Sequence, residues 1–447
     1  MLPRRSPRPL PTKPAPPAWK RALPALLAAG AVWAGWQELT RPRNPALAEA
    51  ARTRTTAQDW AALAALGPRP VGTPGHDRAV DWLDTQFTAL GYHVTRQEVT
   101  ATRPFDQGGT LKAPGFTLPV KAIYGAAGGE QTARLVHVDP DATPDVMEAQ
   151  GLRAQLALTT CPSGSWRDLA ERVNRAGGFG LLLIDDCPGR ALQRVDATPF
   201  PLVTVPAAEK ARVLALAGQT VTLTSRVEIR PVTGHNLIVR RVNATPDLLY
   251  GAHLDTVNGS PGGNDNSSGV LTVLNLARQH AGTPTADRVW FVLFDLEEDG
   301  LIGSRLFVKT HSAKLRPLRA MLNFDMVGVP ATPLKVAGDV DVIRTAQTAV
   351  PGLGAFTEDP PGGVQDFGRS GYLTGRSDHV PFKGLRIRTL FFHRGLDAHY
   401  HTPQDTRPDL TLVQDTADKA ARISAALLAQ PFRPSESCGI QQRNCRF

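Results

Sequence analysis

From His235 onward the chain alternates between two textures. The runs "NLIVRRV", "DLLYGAH", "VWFVLF" and "AMLNFDM" are apolar and of strand length. Between them, "SSGVLTVLNLARQH" and "GSRLFVKTHS" place apolar residues at helical spacing. Strands separated by helices of this size bury both faces of a mixed, mostly parallel sheet, so the expected class is α/β with helices on both faces. In such sheets ligands bind beyond the carboxyl ends of the strands, and those ends carry the residues of interest.

His253 closes "DLLYGAH", Glu297 and Glu298 follow "VWFVLF", and Asp325 closes "AMLNFD". Asp265 sits in "GGNDNSSG", just ahead of a predicted helix, and His401 lies in the turn-rich "AHYHTPQDT". Taken singly, each has an ordinary explanation. Asp265 alone is a turn former or helix N-cap, and Glu297-Glu298-Asp299 alone is a solvated acidic turn. Together they supply two imidazoles and three carboxylates as donors, plus a spare acid. Successive side chains of a regular strand point to opposite faces, so Glu297 and Glu298 converge only in the bend after the strand. One can then hold a metal while the other stays free to move a proton.

Nitrogen and hard-oxygen donors suit zinc, with manganese or cobalt second. Five protein donors exceed what one tetrahedral catalytic zinc takes, which predicts a two-metal site with Asp265 as the bridging carboxylate. The glycines and serines around Asp265 are expected to let its backbone approach the ions.

The formal net charge of +9 could suggest nucleic acid, but its location argues otherwise. Residues 1–43 hold eight basic residues against one acid, Glu38, which accounts for +7 and leaves +2 for the remainder. No basic stripe with interleaved aromatics follows, so no nucleic-acid partner is expected. Within the basic lead, residues 22–36 form an uncharged apolar run of 15 residues, the size of a signal-peptide core and short for a bilayer span. Residues 1–45 are therefore expected to be a signal or membrane anchor, placing the rest outside the cytoplasm.

Residues 50–104 are expected to be the first part of the main domain. Between about 105 and 230 the texture shifts to short runs such as "LRAQLAL", "GLLLI" and "FPLVTV", read as an inserted β-rich domain, with 231–430 completing the main one. Residues 431–447 form a polar tail. Four cysteines permit disulfides in an exported chain, Cys161–Cys187 and Cys438–Cys445 being the nearest-neighbour pairing, with reduced thiols as the alternative.

The motifs "GAHLDTV", "SPGGNDNSSGV", "FDLEEDGLIGS", "NFDMVG", "SDHVPF" and "YHTPQDT" resemble those of the co-catalytic two-zinc exopeptidases, which include secreted leucine-type aminopeptidases, aminopeptidase Y and glutamate carboxypeptidase. "RPVGTPGHDRA" resembles the N-terminal signature of that family. The resemblance implies that His253 and Asp325 hold one zinc, that Glu298 and His401 hold the other, and that Asp265 bridges. It also implies Glu297 as general base, Asp255 as the acid orienting the His253 imidazole, and Tyr400 as an aid in polarising the scissile carbonyl. The implied substrates are peptides.

"RAGGFGLLLIDD" and "TPFPLVTVPAAEKARVLAL" resemble the protease-associated domain inserted in some members, which Cys161 and Cys187 would staple. A carboxypeptidase of the same family would need a cationic pocket, for which Arg376, Arg386, Arg388 and Arg394 are the nearby candidates. A glutaminyl cyclase or a metal-free receptor-like relative fits less well, because His253 and the other donors are all present. His379 is expected to support the site, His399 to stand aside from it, and His76 to be a surface or turn residue. Oligomeric state is not legible.

Overall fold

The computed structural model describes residues 45–187, 198–241, 246–358 and 376–431. The apolar run 22–36, Cys438 and Cys445 lie outside the described residues. Among those described, no helix is long and apolar enough to cross a membrane.

The chain enters through helices α1 (Pro45–Thr53), α2 (Thr56–Ala64) and α3 (Pro74–Ala89). Thr73 caps α3 by accepting from the His76 amide, and Pro74 occupies the first turn, where its missing N–H costs nothing. Two 21-residue strands, β1 (His93–Ala113) and β7 (Thr220–Arg240), then run antiparallel as one long ribbon, from His93 opposite Arg240 to Lys112 opposite Thr222.

Between the two halves of the ribbon lie β2 (Phe116–Ala122), β3 (Gly129–His137), α4 (Pro144–Ala149), β4 (Leu156–Thr159), α5 (Trp166–Arg175), β5 (Leu181–Asp185), β6 (Leu202–Pro206) and α6 (Lys210–Leu214). Strands β3, β4, β5 and β6 pair in parallel; β2 joins β6 and β1, and β7 joins both β3 and β1. The pairings close on themselves, which leaves this ring of strands no edge open to further pairing. Leu111, Leu135, Leu158, Leu182, Val203 and Leu223 fill its interior, while Leu169 and Val173 of α5 cover an outer cluster with Ala157, Leu181 and Leu183. Cys161 and Cys187, just beyond β4 and β5, are joined by a disulfide with Cα atoms 5.3 Å apart.

The remaining elements are β8 (Leu248–His253), α7 (Gly269–His280), β9 (Val289–Phe294), α8 (Ile302–Leu315), β10 (Ala320–Phe324), β11 (Lys335–Gly338), α9 (Val340–Ala349), β12 (Gly354–Ala355), α10 (Val380–Lys383), β13 (Thr389–His393) and α11 (Leu410–Ala429). Their strands extend the sheet in the order β7-β9-β8-β10-β13-β11-β12. The centre, β9, β8, β10 and β13, is parallel throughout. Of these, β8, β9 and β10 are buried along their whole length, as a sheet covered on both faces requires. Alternate residues sort the faces: Tyr250, Phe291, Phe324 and Phe392 pack on α3, α7 and α11, whereas Leu249, Trp290, Phe294 and Met321 pack on α8 and α10. Helices cover both faces, as the sequence pattern predicts.

Phe291 is the hub of the first face, with ring centroids 5.2 Å from Tyr250, 5.3 Å from Tyr92 and 6.5 Å from Phe87. Truncation there removes a fully buried ring and leaves a cavity that rigid neighbours cannot fill. Phe291→Ala is expected to cost about 3–5 kcal/mol in urea unfolding. A loss under about 1 kcal/mol would show that this face repacks freely.

Candidate metal centre

Because β9, β8 and β10 are neighbouring parallel strands, their carboxyl ends lie side by side on one edge of the sheet. His253 is the last residue of β8, Asp325 follows β10, and Glu297 and Glu298 lie in the bend after β9. Asp265 reaches the same place from the β8–α7 connection, and His401 from the β13–α11 connection.

The sheet edge brings them together. Asp265 Oδ1 lies 3.1 Å from His253 Nε2, while its other oxygen, Oδ2, lies 2.9 Å from His401 Nε2. His253 Nε2 is also 3.5 Å from Asp325 Oδ1, and His401 Nε2 is 3.2 Å from Glu298 Oε2. Two donor sets result, His253–Asp265–Asp325 and Asp265–Glu298–His401, each with its donor atoms within 4.8 Å of one another. Glu297 stands beside both, within the same reach of His253 and Glu298. Tyr400 is half-buried, its ring stacked on His401 with centroids 3.8 Å apart.

The loop carrying Asp265 is fixed by hydrogen bonds that cross the whole chain. The Asp405 carboxylate accepts from the backbone amides of Asn264 (2.6 Å) and Asp265 (3.0 Å). Asn266 donates to the Phe324 carbonyl and accepts from the amides of Gly269 and Met326, while Asn264 accepts from the Gly328 amide. Ser268 donates to the Asn264 carbonyl and accepts from the Val327 amide. The two asparagines of "GGNDNSSG" thus tie the loop to the chain leaving β10.

The glycines there are crowded by neighbouring chain. Gly262 is left-handed, at φ +65°, and a Cβ on it would fall 2.2 Å from Thr256 Cγ2. A Cβ on Gly263 would fall 2.5 Å from the Arg407 amide nitrogen, and one on Gly269 would fall 2.3 Å from the Phe324 carbonyl oxygen. Neighbouring chain leaves no room for side chains at these positions.

Arg69 is buried at the back of the loop. Its guanidinium donates to the carbonyls of Leu254, Pro261 and Gly262 and to Ser267 Oγ, and its amide donates to Thr256 Oγ1. Burial lowers its pKa to about 10, against the pull of Asp255, Asp405 and Asp265, so it remains a cation at neutral pH.

Asp255 also differs in its contacts from the expected arrangement. His253 Nδ1 lies 3.1 Å from the Asp255 main-chain carbonyl and 3.7 Å from its carboxylate. The carboxylate oxygens instead accept the amides of Glu297 (3.1 Å) and Glu298 (3.2 Å). One residue therefore orients the imidazole through its backbone and the acidic bend through its side chain.

His76 is not at the surface. It is fully buried, and its Nε2 sits 2.8 Å from Asp295 Oδ2, which also accepts the His235 amide. Helix α3 packs on the sheet and carries the imidazole to the residue that begins the acidic bend, a placement invisible in local spacing. His379 lies 2.7 Å from Glu358 Oε1 and stacks on Phe391, while His399 is exposed.

The electrostatics are those of a buried cluster of acids and imidazoles. Burial opposes the His253 proton, but Glu297, Asp325, Asp255 and Asp265 raise its pKa well above the ordinary value. Against the same burial, Glu298 and Asp265 lift His401 to about 10. Burial, then Glu298, Asp378 and Asp325, push the Glu297 carboxyl well above the usual range against the pull of His253. Burial likewise lifts Asp378 to about 7, opposed by His253 and aided by Asp255 and Asp325. Asp378, in "SDHVPF", is a buried acid of the site that the sequence reading passed over in favour of His379. Buried acids in this number require compensating charge, and Asp325 Oδ1 has no hydrogen-bond donor. A pair of divalent cations fits both the donor types and the missing charge.

Residues 236–428 match the family model described as Peptidase family M28. The chain is 29% identical over 350 residues to "Probable lipoprotein aminopeptidase LpqL" of Mycobacterium tuberculosis, with 69% of each chain covered. It is 37% identical over 186 residues to "Leupeptin-inactivating enzyme 1" of Streptomyces exfoliatus, a match spanning 40% of that relative's length. A solved zinc aminopeptidase from Bacillus subtilis shares the fold, with a TM-score of 0.67 at 24% identity, covering 86% of this chain and 95% of that one.

The His76–Asp295 pair predicts a pH dependence of stability. Burial acts against the imidazolium, but Asp295 and Asp77 raise its pKa to about 9 from 6.5. A raised folded value means that its stabilisation is complete below pH 6.5 and is lost as pH rises through about 9. The unfolding free energy of the parent minus that of His76→Gln is expected to shrink by about 2–3 kcal/mol from about pH 6 to about pH 10. A difference independent of pH would show that the imidazole is neutral in the fold.

Proposed function

Because the chain belongs to peptidase family M28, we propose that it is an extracytoplasmic zinc-dependent aminopeptidase, with peptides as substrates and two zinc ions as cofactors. The observation that carries this reading is the division of the Asp265 oxygens between His253 and His401. His253 and Asp325 would hold one ion, Glu298 and His401 the other, and Asp265 both. Zinc at these positions supplies Lewis acidity and a water whose pKa is lowered toward neutrality.

The side chains do the rest. Glu297, buried beside both donor sets, accepts a proton from the attacking water and delivers it to the leaving amine as the C–N bond breaks. Asp255 fixes the amides of Glu297 and Glu298 and so the direction of both carboxylates. Burial, with Asp265 and Glu298 beside it, raises the Tyr400 phenol well above its ordinary value. It therefore stays protonated and can donate to the carbonyl oxygen as negative charge develops there.

The aminopeptidase reading is favoured over a carboxypeptidase by what the candidate arginines do. Arg394 donates to the Val327 carbonyl and pairs with Asp415, and Arg388 pairs with Asp341. Two of the four cations that could receive an α-carboxylate are thus committed elsewhere. The basic lead and apolar run at 1–45, together with a relative described as a lipoprotein, support a location outside the cytoplasm. The segments 50–104 and 231–430 are proposed as the peptidase domain, 105–230 as the protease-associated-like insert, and 431–447 as a tail.

A panel of aminoacyl chromogenic substrates, run beside N-acylated and C-terminal-Glu peptides, tests the reading. Cleavage is expected for free N-termini only, and cleavage confined to blocked substrates would overturn it. Glu297→Ala is expected to keep its zinc by plasma mass spectrometry while turnover falls about 10³-fold or more. Asp265→Ala is expected to lose zinc from both positions, and full zinc occupancy in that variant would remove Asp265 from the ligand set.

A further inference from the structure

The bend that carries Glu297 and Glu298 is an awkward piece of backbone. Leu296 (φ +53°), Gly300 (φ +103°) and Leu301 (φ +61°) are left-handed, a region that costs a leucine energy at each occurrence. Such a bend persists only where its surroundings hold it. Asp255 holds two of its amides, and the Gly300 and Leu301 amides donate to the Glu297 carbonyl at 2.8 and 2.9 Å.

A third hold comes from outside the peptidase sheet. Tyr124 lies in the connection from β2 to β3, within the closed ring of strands. Its hydroxyl donates to Asp299 Oδ1 at 2.5 Å. Arg103, buried on β1, donates from Nε to the Tyr124 oxygen at 3.0 Å and lies 3.3 Å from Asp299 Oδ2. Its other end donates to the Val71 carbonyl at 2.8 Å, and its guanidinium lies over the Tyr124 ring, 5.3 Å from the centroid. Asp299 directly follows Glu298, so the position of its carboxylate sets the far end of the bend.

We propose that Tyr124 is a positioning residue supplied by the inserted ring of strands, which acts through Asp299 and Arg103 to hold the Glu297–Glu298 bend in its working shape. The insert is thereby part of the site and not only an appendage to it. The inference rests on the peptidase reading for its effect on rate, while its effect on the bend stands independently. Burial and the Asp299 carboxylate push the Tyr124 phenol up to about 12, against the pull of Arg103, so the donor stays protonated across any working pH.

The test pairs Tyr124→Phe, which keeps the ring over Arg103 and removes the hydroxyl that links Asp299 to Arg103, with Asp299→Asn and the double variant. Hydrogen exchange is followed in the metal-free protein at the Gly300 and Leu301 amides. Turnover of leucine p-nitroanilide is measured in the zinc-loaded protein. Tyr124→Phe is expected to speed exchange at both amides about tenfold and to lower kcat about 5- to 20-fold, with KM within about twofold. The double variant is expected to be no slower than the slower single variant, as linked groups require. Exchange unchanged at both amides overturns the proposal whatever the rate does. Faster exchange with kcat within about twofold of the parent, or additive losses in the double variant, overturns the functional part. If the parent itself cleaves no aminoacyl substrate, the peptidase reading fails and the exchange measurement alone decides the role of Tyr124.

Discussion

The two oxygens of Asp265 face opposite imidazoles, and much of the molecule exists to keep them there. One carboxylate can address two partners only if its backbone is held on every side. Arg69 from the start of the chain, Asp405 from near its end, and Asn264 and Asn266 from the loop itself all converge on that backbone. The sheet supplies the opposing groups, because three neighbouring parallel strands end together, with His253 closing one and Glu298 and Asp325 just beyond the other two. Buried carboxylates without matching cations are costly, and the donor types gathered here suit divalent metal.

The order of stabilisation follows from the same layout. The two faces of the sheet are closed by apolar helices, which demand no particular geometry at the strand ends. The strand ends are instead fixed by charge-assisted hydrogen bonds of long sequence separation, the strongest kind available where water is excluded. Apolar burial makes the platform, and the polar contacts make it specific. The His76–Asp295 contact joins the two, since α3 packs by its apolar side while its imidazole reaches the residue from which the acidic bend departs.

The sheet and the residues gathered at its edge were legible because periodicity and strand length are local signals. Tyr250, Phe291 and Phe324 alternate with Leu249, Trp290 and Met321 in the sequence as they do between the two faces. His253, Glu298, Asp325 and His401 could be picked out because each sits at the end of such a run or in a recognisable motif. The supporting residues were not legible, for a physical reason. Arg69 meets Ser267 across 198 positions and Asp405 meets Asp265 across 140, distances over which spacing carries no information. His76 looked like a turn residue because it follows Pro74 and Gly75, and only the packing of α3 buries it. The glycines of "GGNDNSSG" were noticed, but what crowds them comes from Thr256, Phe324 and Arg407. In the β-rich region, α4 and α6 are too short to register as periodic, so the parallel pairing of the strands there was not legible.

The long ribbon of β1 and β7 has an evolutionary consequence. A unit whose incoming and outgoing chains lie paired along a single stalk can be gained, lost or exchanged without threading any other strand. Lineages could therefore swap this appendage freely, were it not for Tyr124. Any replacement grafted onto the stalk would have to offer Asp299 a fresh companion, or the recipient would inherit a slackened Glu297–Glu298 bend.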